Sequence, residues 1–319
     1  MMNVRFLLVF TSVLVIVACG GGGGGATYHI AISHSGTGLT CESSTITLTL
    51  HEDGNHKVTE VDENETVTIT LQPSVGGNSS FNVTVPKGKS SVTFDITQTT
   101  AASVDIDAAG DNASAPDDHG SEDPAIVFSD TGFRFYVNSS HTDSTPISTQ
   151  IGGKTNSQTL TLKAIETNSD TGACQAALTS ATDVEIAYEC ENPTTCSSNQ
   201  LSFTANSTVQ VTGSANQASF NFSSPSSNFT TVPMNFNGSG EASFSFLFND
   251  VGQIKLHAKS TLPSSGPTLT GSSNAFVVRP FGLYVYAVDD TLAVNGTDAA
   301  FKKVGENFSI GVKGVLYNS

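Results

Sequence analysis

Five cysteines hold most of the covalent chemistry open to this chain, and their positions set one apart from the other four. Cys19 ends a run in which Phe6 to Val17 is apolar except for Thr11 and Ser12, Arg5 is the one cation upstream, and Ala18 stands directly before the thiol. That is the tripartite pattern of an export signal. Ile16-Val17-Ala18-Cys19 also fits the bacterial lipobox, in which diacylglycerol alkylates the thiol and cleavage leaves cysteine as residue one. The run is too short for a membrane span, which needs about 20 apolar residues. Residues 1–18 therefore read as a lipoprotein signal peptide and Cys19 as the lipidation site, carrying palmitate-type acyl chains. Several such chains anchor stably where one does not. Gly20 to Gly25 follow as a tether of roughly 13 Å, at ~5–6 Å per square root of residue number. Gly20 is not acidic, which by the usual sorting pattern points to the outer membrane, with the chain facing the periplasm or the cell surface.

Cys41, Cys174, Cys190 and Cys196 remain. An even number in an exported chain implies two disulfides, with three connectivities open. Cys190 and Cys196 flank Glu191-Asn192-Pro193-Thr194-Thr195, and Asn-Pro favours a turn, so these two are expected to pair. Cys41 is then left for Cys174, a staple between domains. A zinc site has little support, since no pair has the short finger-type spacing and no histidine lies nearby.

Other chemistry is weaker. Gly88-Lys89-Ser90 and Gly153-Lys154-Thr155 imitate phosphate loops, but Val83 and Ser148 stand where a first glycine belongs, and strands follow where a helix should. Both read as turns. Asp105, Asp107, Gly110 and Asp111 suggest a calcium loop. The helix-flanked version needs an oxygen donor where Ala109 stands and a bidentate glutamate where Pro116 stands. An interdomain calcium held by the acidic stretch is what remains of that reading. The seven histidines are scattered, and neither HExxH nor GxSxG is present. Triads and paired carboxylates are recognised by geometry, so sequence leaves them open. No catalytic residue is assigned, and a non-enzymatic protein is expected. The many Asn-x-Ser/Thr triplets, such as those at Asn64, Asn82, Asn228 and Asn307, reflect solvated strand faces and turns.

The elements that must position these residues are strands. Ile46, Leu48 and Leu50 alternate with threonines, as do Val67, Ile69 and Leu71; Phe81, Val83 and Val85, then Val92, Phe94 and Ile96, then Val104 and Ile106 repeat the period of two. Turn formers lie between them at Asp53-Gly54-Asn55, Gly76-Gly77-Asn78 and Pro86-Lys87-Gly88. Residues 26–110 thus predict an immunoglobulin-like β-sandwich. Residues 111–124 hold acidic residues and no large apolar one, and read as an exposed linker. Residues 125–280 predict a second β-sandwich, with strands at Gly132 to Val137, Thr159 to Ile165, Val184 to Tyr188, Ser219 to Phe222, Ala242 to Phe248 and Ile254 to Ala258. Phenylalanine must fill much of its core, because the chain has no tryptophan. Residues 281–319, with Leu283, Val285 and Ala287 and then Phe308, Ile310 and Val312, read as the start of a third, incomplete β-domain. The fold class is all-β: serial sandwiches behind a signal peptide and glycine linker.

Removal of residues 1–18 takes away Arg5 alone and leaves 12 Lys+Arg against 29 Asp+Glu, a formal charge of −17. That argues against nucleic acid and anionic lipid headgroups as partners, since both need basic surface. The membrane contact is the lipid on Cys19.

Several separated stretches resemble a known family. They are Gly38-Leu39-Thr40-Cys41, Asp123-Pro124, Asp130-Thr131-Gly132-Phe133-Arg134-Phe135, Gln150-Ile151-Gly152-Gly153-Lys154, Thr171-Gly172-Ala173-Cys174, Cys190 to Cys196, Asp250-Val251-Gly252-Gln253-Ile254 and Phe276-Val277-Val278-Arg279-Pro280-Phe281. In this order they are similar to the β-rich domain of the Q-type biogenesis protein of the MSHA (mannose-sensitive haemagglutinin) pilus, across residues 27–319. The resemblance implies envelope or pilus proteins as partners, in type IV pilus biogenesis or surface adhesion. It transfers no catalytic residue. The alternative is a carbohydrate-binding or carbohydrate-degrading surface module, for which Tyr284 and Tyr286 lie on one strand face; core packing is the simpler expectation for that pair.

Overall fold

The computed structural model describes residues 28–52, 57–114, 122–137, 146–195, 197, 199–211, 214–216, 222, 229–262, 266–287, 305, 307 and 309–317. The expected signal peptide, the expected lipidation site Cys19 and the glycine tract lie outside the described residues, as does Cys196. So does the expected strand Ser219 to Phe222, apart from Phe222.

All regular structure among the described residues is β. The first nine strands are β1 (Tyr28–Ser33), β2 (Thr37–Leu39), β3 (Ser44–Glu52), β4 (Glu65–Val75), β5 (Asn78–Val85), β6 (Ser91–Ile96), β7 (Ala102–Gly110), β8 (Ala113–Ser114) and β9 (Ile126–Ser129). They form two sheets, ordered β6-β3-β1-β8 and β2-β9-β7-β4-β5. The period-two pattern does what it must. Ile30, Ile46, Leu48 and Leu50 point inward from one sheet and meet Val67, Ile69, Val104 and Ile106 from the other, all wholly buried. Each such side chain contributes about 1.5–3 kcal/mol relative to exposure. Phe81 on β5 and Phe94 on β6 meet edge to face, centroids 5.4 Å apart, at the side where these edge strands of opposite sheets approach. Gly76 and Gly77 turn β4 into β5 with φ of 56° and 83°, values a two-residue hairpin needs at both positions and glycine adopts without strain.

The first sandwich does not stop where the acidic stretch begins. β8 runs parallel to β1, pairing Tyr28 with Ala113, and β9 lies between β2 and β7, pairing Gly38 with Phe128 and Ala102 with Phe128. Residues 111–124 are therefore no interdomain linker. The described strands on either side of this crossover, β8 and β9, pair in different sheets of the first sandwich, and the second sandwich begins after Asp130. Composition alone marks a solvated loop, and it does not tell a loop inside a domain from a linker between two.

The next strands are β10 (Thr131–Val137), β11 (Gln150–Ile151), β12 (Leu160–Thr167), β13 (Cys174–Ala176), β14 (Ala181–Asn192), β15 (Leu201–Thr204) and β16 (Thr208–Val211). They are followed by β17 (Ser214–Asn216), β18 (Thr230–Asn235), β19 (Glu241–Phe248), β20 (Gly252–Thr261), β21 (Thr268–Ser272) and β22 (Phe276–Arg279). One sheet is ordered β10-β12-β19-β15-β16 with β13 on β12; the other is β11-β22-β20-β14-β17 with β18 on β14 and β21 on β20. Phenylalanine fills the space between them. Phe203 stacks on Phe244 at 4.7 Å, Phe246 meets Phe276 at 5.5 Å, and Phe248 packs edge to face on Tyr188 at 5.5 Å. Tyr188 is wholly buried; its hydroxyl donates to the Ser197 carbonyl and accepts the Gln200 N–H. It sits two residues before Cys190, as does the corner tyrosine of immunoglobulin domains, although here it ties the chain downstream.

The last two strands, β23 (Gly282–Ala287) and β24 (Ile310–Val315), pair with each other and, among the described residues, with no other strand. After β24 the Tyr317 N–H bonds the Gly152 carbonyl, and the Tyr317 ring packs on Phe281.

Ile69 is a fair probe of the first core. Ile69→Ala is expected to lower unfolding free energy by about 2–5 kcal/mol in urea titration. Thr70→Ala, next along β4 and exposed, should cost under about 1 kcal/mol.

Candidate functional site

The two sandwiches meet across Asp130. Thr40, buried just after β2, donates its hydroxyl to Asp130 Oδ1 at 2.8 Å and shares a hydrogen bond with the Thr167 hydroxyl at 2.7 Å. The Thr40 N–H bonds the Ser129 carbonyl, and the Thr167 N–H bonds the Asp130 carbonyl. Next to this knot Cys41 is disulfide-bonded to Cys174, 133 residues away, and Glu42 Oε2 accepts from Arg134 Nε at 3.2 Å. A Cβ on Gly132 would stand 3.0 Å from the Leu39 side chain across the junction and 3.1 Å from the Thr270 carbonyl within the second sandwich. Cys190 is disulfide-bonded as well; its expected partner, Cys196, lies outside the described residues.

A cleft of about 240 Å³ opens beside the Cys41–Cys174 bridge, lined by Glu42, Lys163, Gln175, Gly238 and Ser239 among others. Small-molecule sites usually enclose about 300–1,000 Å³, and both charged residues here are already paired, Glu42 with Arg134 and Lys163 with Glu241. The paired charges tie the cleft walls together.

The other sequence candidates resolve as follows. Asp105 and Asp107 project from the exposed side of β7, opposite Gln72 and Thr70, so they lie along a strand and not around a loop. At Gly88-Lys89-Ser90 the Gly88 and Lys89 amides bond the Val61 and Pro86 carbonyls; at Gly153-Lys154-Thr155 those of Gly153 and Lys154 bond Phe248 and Ile151. Amides so committed cannot cradle phosphate. Tyr284 and Tyr286 are not core residues. They are exposed and stacked, centroids 5.9 Å apart, with the Lys313 ammonium over both rings. Cross-strand pairing puts Leu283, Val285, Ile310 and Val312 on the opposite, equally exposed face of the hairpin.

Two constellations escaped sequence reasoning. On the outer face of the second sandwich, His257 bonds Ser272 Oγ through Nδ1 at 2.7 Å and Glu189 Oε2 through Nε2 at 2.9 Å. The types match a Ser-His-acid triad. Ser272, however, lies in the β20–β21 ladder opposite His257, not on the sharp strand-to-helix turn that presents a hydrolase serine. Burial pushes the His257 pKa down, against the raising effect of the Glu189 hydrogen bond. On the first sandwich, His29 Nε2 lies 3.3 Å from His51 Nδ1 and 3.5 Å from Glu122 Oε1. Among the described residues this is the group of histidine, cysteine and carboxylate side chains whose donor atoms converge closely enough for a metal ion. Register would have been needed to find it, because His29 and His51 become neighbours only through the β1–β3 ladder.

Around that group the crossover segment is fastened along β1. The Ile32 N–H bonds the Glu122 carbonyl, His34 Nε2 donates to the Pro124 carbonyl at 2.6 Å, and the Val127 N–H bonds Gly36. His34 Nδ1 accepts the Gly36 N–H at 3.0 Å, which a doubly protonated ring cannot do. Burial lowers the His34 pKa, and this contact favours the same neutral form.

The sequence profile of the family described as "Domain of unknown function (DUF6701), first Ig-like domain" matches residues 113–272, half of the chain. The chain belongs to the DUF6701 family. The DUF6701 match runs from β8 to β21 and so takes in β9, Asp130 and Cys174 on one side of the junction, and nearly all of the second sandwich, but not Thr40, Cys41 or Glu42. No curated protein matches the sequence. Among solved structures, red sea bream transglutaminase is 13% identical, with 79% of this chain and 31% of that one covered and a TM-score of 0.25. The D0-D1 domain of intimin is 12% identical, with 78% and 96% covered and a TM-score of 0.32. Adhesin InvE of Yersinia pseudotuberculosis is 16% identical, with 81% and 62% covered and a TM-score of 0.24. Likeness at this level carries no argument about the activity of this DUF6701 protein.

Two outcomes are expected. Cys41→Ser with Cys174→Ser should lower unfolding free energy by about 2–5 kcal/mol in guanidinium titration under non-reducing conditions, the span seen when native bridges are removed. For His34 and His257 the folded pKa lies below the ordinary 6.5, so the unfolded chain takes up protons first as pH falls. Their contribution is then full above pH 6.5 and is lost progressively below it, down to the folded value. Melting temperature followed against pH should fall on that side, with a shallower slope for His34→Gln.

Proposed function

We propose that this chain is a non-enzymatic lipoprotein of the outer membrane, held by acyl chains on Cys19, whose Ig-like sandwiches bind envelope or pilus proteins in MSHA-type (type IV) pilus biogenesis or surface adhesion. The observation that carries the reading is the covalent closure of Cys41 to Cys174, with Cys190 also bonded. Disulfides persist in oxidising compartments, where the lipobox pattern would send the chain. The rest supports a binding role over catalysis. The junction cleft is small and its charges are paired; the His257 network is built into a ladder; and the acidic balance suits solvated envelope surfaces better than phosphate partners. Exposed edges such as β5, hydrogen-bonded on one side only, offer strand addition as a mode of contact.

Deletion of the gene is expected to reduce pilus display or adherence, and a metabolic palmitate analogue should label the wild type but not Cys19→Ala. Normal piliation and attachment in the deletion strain would remove the pilus reading, while an unlabelled wild-type protein would remove the anchor. One observation favours a second reading, carbohydrate binding: the exposed stack of Tyr284 and Tyr286, a form of platform on which sugars pack. On a glycan array that reading predicts a signal lost in Tyr284→Ala, and a blank array for the wild type disposes of it.

A further inference from the structure

His29 and His51 are direct partners in the β1–β3 ladder, on the side of the sheet turned away from Ile30 and Ile32 and hence from the core. His29 is nevertheless wholly buried, and Glu122 of the crossover segment lies against its ring. Three Lewis bases thus converge from three separate stretches of chain. His29 Nε2 faces both of the others and can carry a single proton, whereas one cation would take a lone pair from all three. The two distances at His29 Nε2 suit a particular size of ion. Zinc bonds to nitrogen and oxygen of about 2.0–2.1 Å make the edge of a tetrahedral donor set about 3.4 Å. The two measured edges are 3.3 and 3.5 Å, and all three donor atoms lie within 4.8 Å of one another. Two imidazoles and one carboxylate are the wrong set for calcium or magnesium, which take oxygen ligands, and a suitable one for zinc and its neighbours. His51 and Glu122 are half-buried, so an ion has a route in from solvent.

We propose that His29, His51 and Glu122 bind a zinc-like divalent cation, with water completing the shell, and that the ion clips the crossover segment to the outer face of the first sheet. The acidic stretch then contributes one carboxylate to a nitrogen-rich site in place of the oxygen cage that its composition suggests. The ion would add to the backbone bonds at Ile32 and Gly36 that fasten the same segment.

The test uses the exported, processed chain purified without a histidine tag and stripped with EDTA. Titration with zinc chloride in a calorimeter should show one ion per chain, and cobalt(II) chloride should develop the visible absorption of a tetrahedral site. At a hundredfold excess over Kd, zinc should raise the melting temperature by about 5 °C or more. His51→Ala and Glu122→Gln should each weaken binding by more than about tenfold, the loss that outer-shell changes alone can give. Their metal-free melting curves show whether the sandwich survives the substitution. Failure of the wild type to take up zinc overturns the proposal, as does uptake undiminished in either variant. A melting shift with calcium chloride and none with zinc overturns the nitrogen-donor assignment.

Discussion

At the centre of the junction between the two sandwiches stands one buried hydroxyl, that of Thr40. It bonds both Asp130 and Thr167, and so touches the residue that ends the first domain and the end of β12 in the second. In a low-dielectric site such hydrogen bonds are strong when complete and costly when broken. The neighbouring disulfide acts on the other side of the equilibrium. By chain entropy alone, closing a loop of 133 residues removes roughly 5 kcal/mol of freedom from the unfolded state. Glycine at 132 leaves room for the Leu39 side chain at this junction.

The second sandwich carries a polar ladder on its outer face. Along β14, Glu185, Glu189 and Glu191 alternate with core residues, and across β20 stand Lys259, His257 and Lys255. Lys255 pairs with Glu191 at 2.6 Å, His257 with Glu189 at 2.9 Å and Lys259 with Glu185 at 3.5 Å. The part-exposed Lys259–Glu185 pair adds little stability, whereas His257 and Glu189 are buried together. The value of the three pairs lies in register: a slip of one residue would turn the acids toward the phenylalanine core. The pairing of β20 with β14 and with β21 sets Glu189 and Ser272 on either side of His257.

Much of this was legible in the sequence, and what was not had a physical cause. Period two revealed β3, β4, β5, β6 and β7 in the first domain and β10, β12, β14, β19 and β20 in the second, because a strand buried on one face must alternate. Pairing between distant strands leaves no local trace. β8 and β9 are two and four residues long and run parallel to β1 and β2, so the acidic stretch read as the end of a domain that in fact continues past it. The cluster of His29, His51 and Glu122 depends on register and on a crossover spanning both sheets, neither of which any motif spells out. Tyr284 and Tyr286 show the converse case. Their spacing was plain, yet spacing cannot say which face of a strand is covered.

The bridge from Cys41 to Cys174 also determines how the chain would carry load. Tension applied between the two ends passes through the sulfur–sulfur bond and bypasses residues 42 to 173, which hold β3 to β12. Fully drawn out, that length of polypeptide would span about 450 Å, at ~3.3–3.6 Å per residue. The bond withholds this extension, so most of the first sandwich is a passenger under force, and the strain falls on β1, β2 and the strands that follow the bridge.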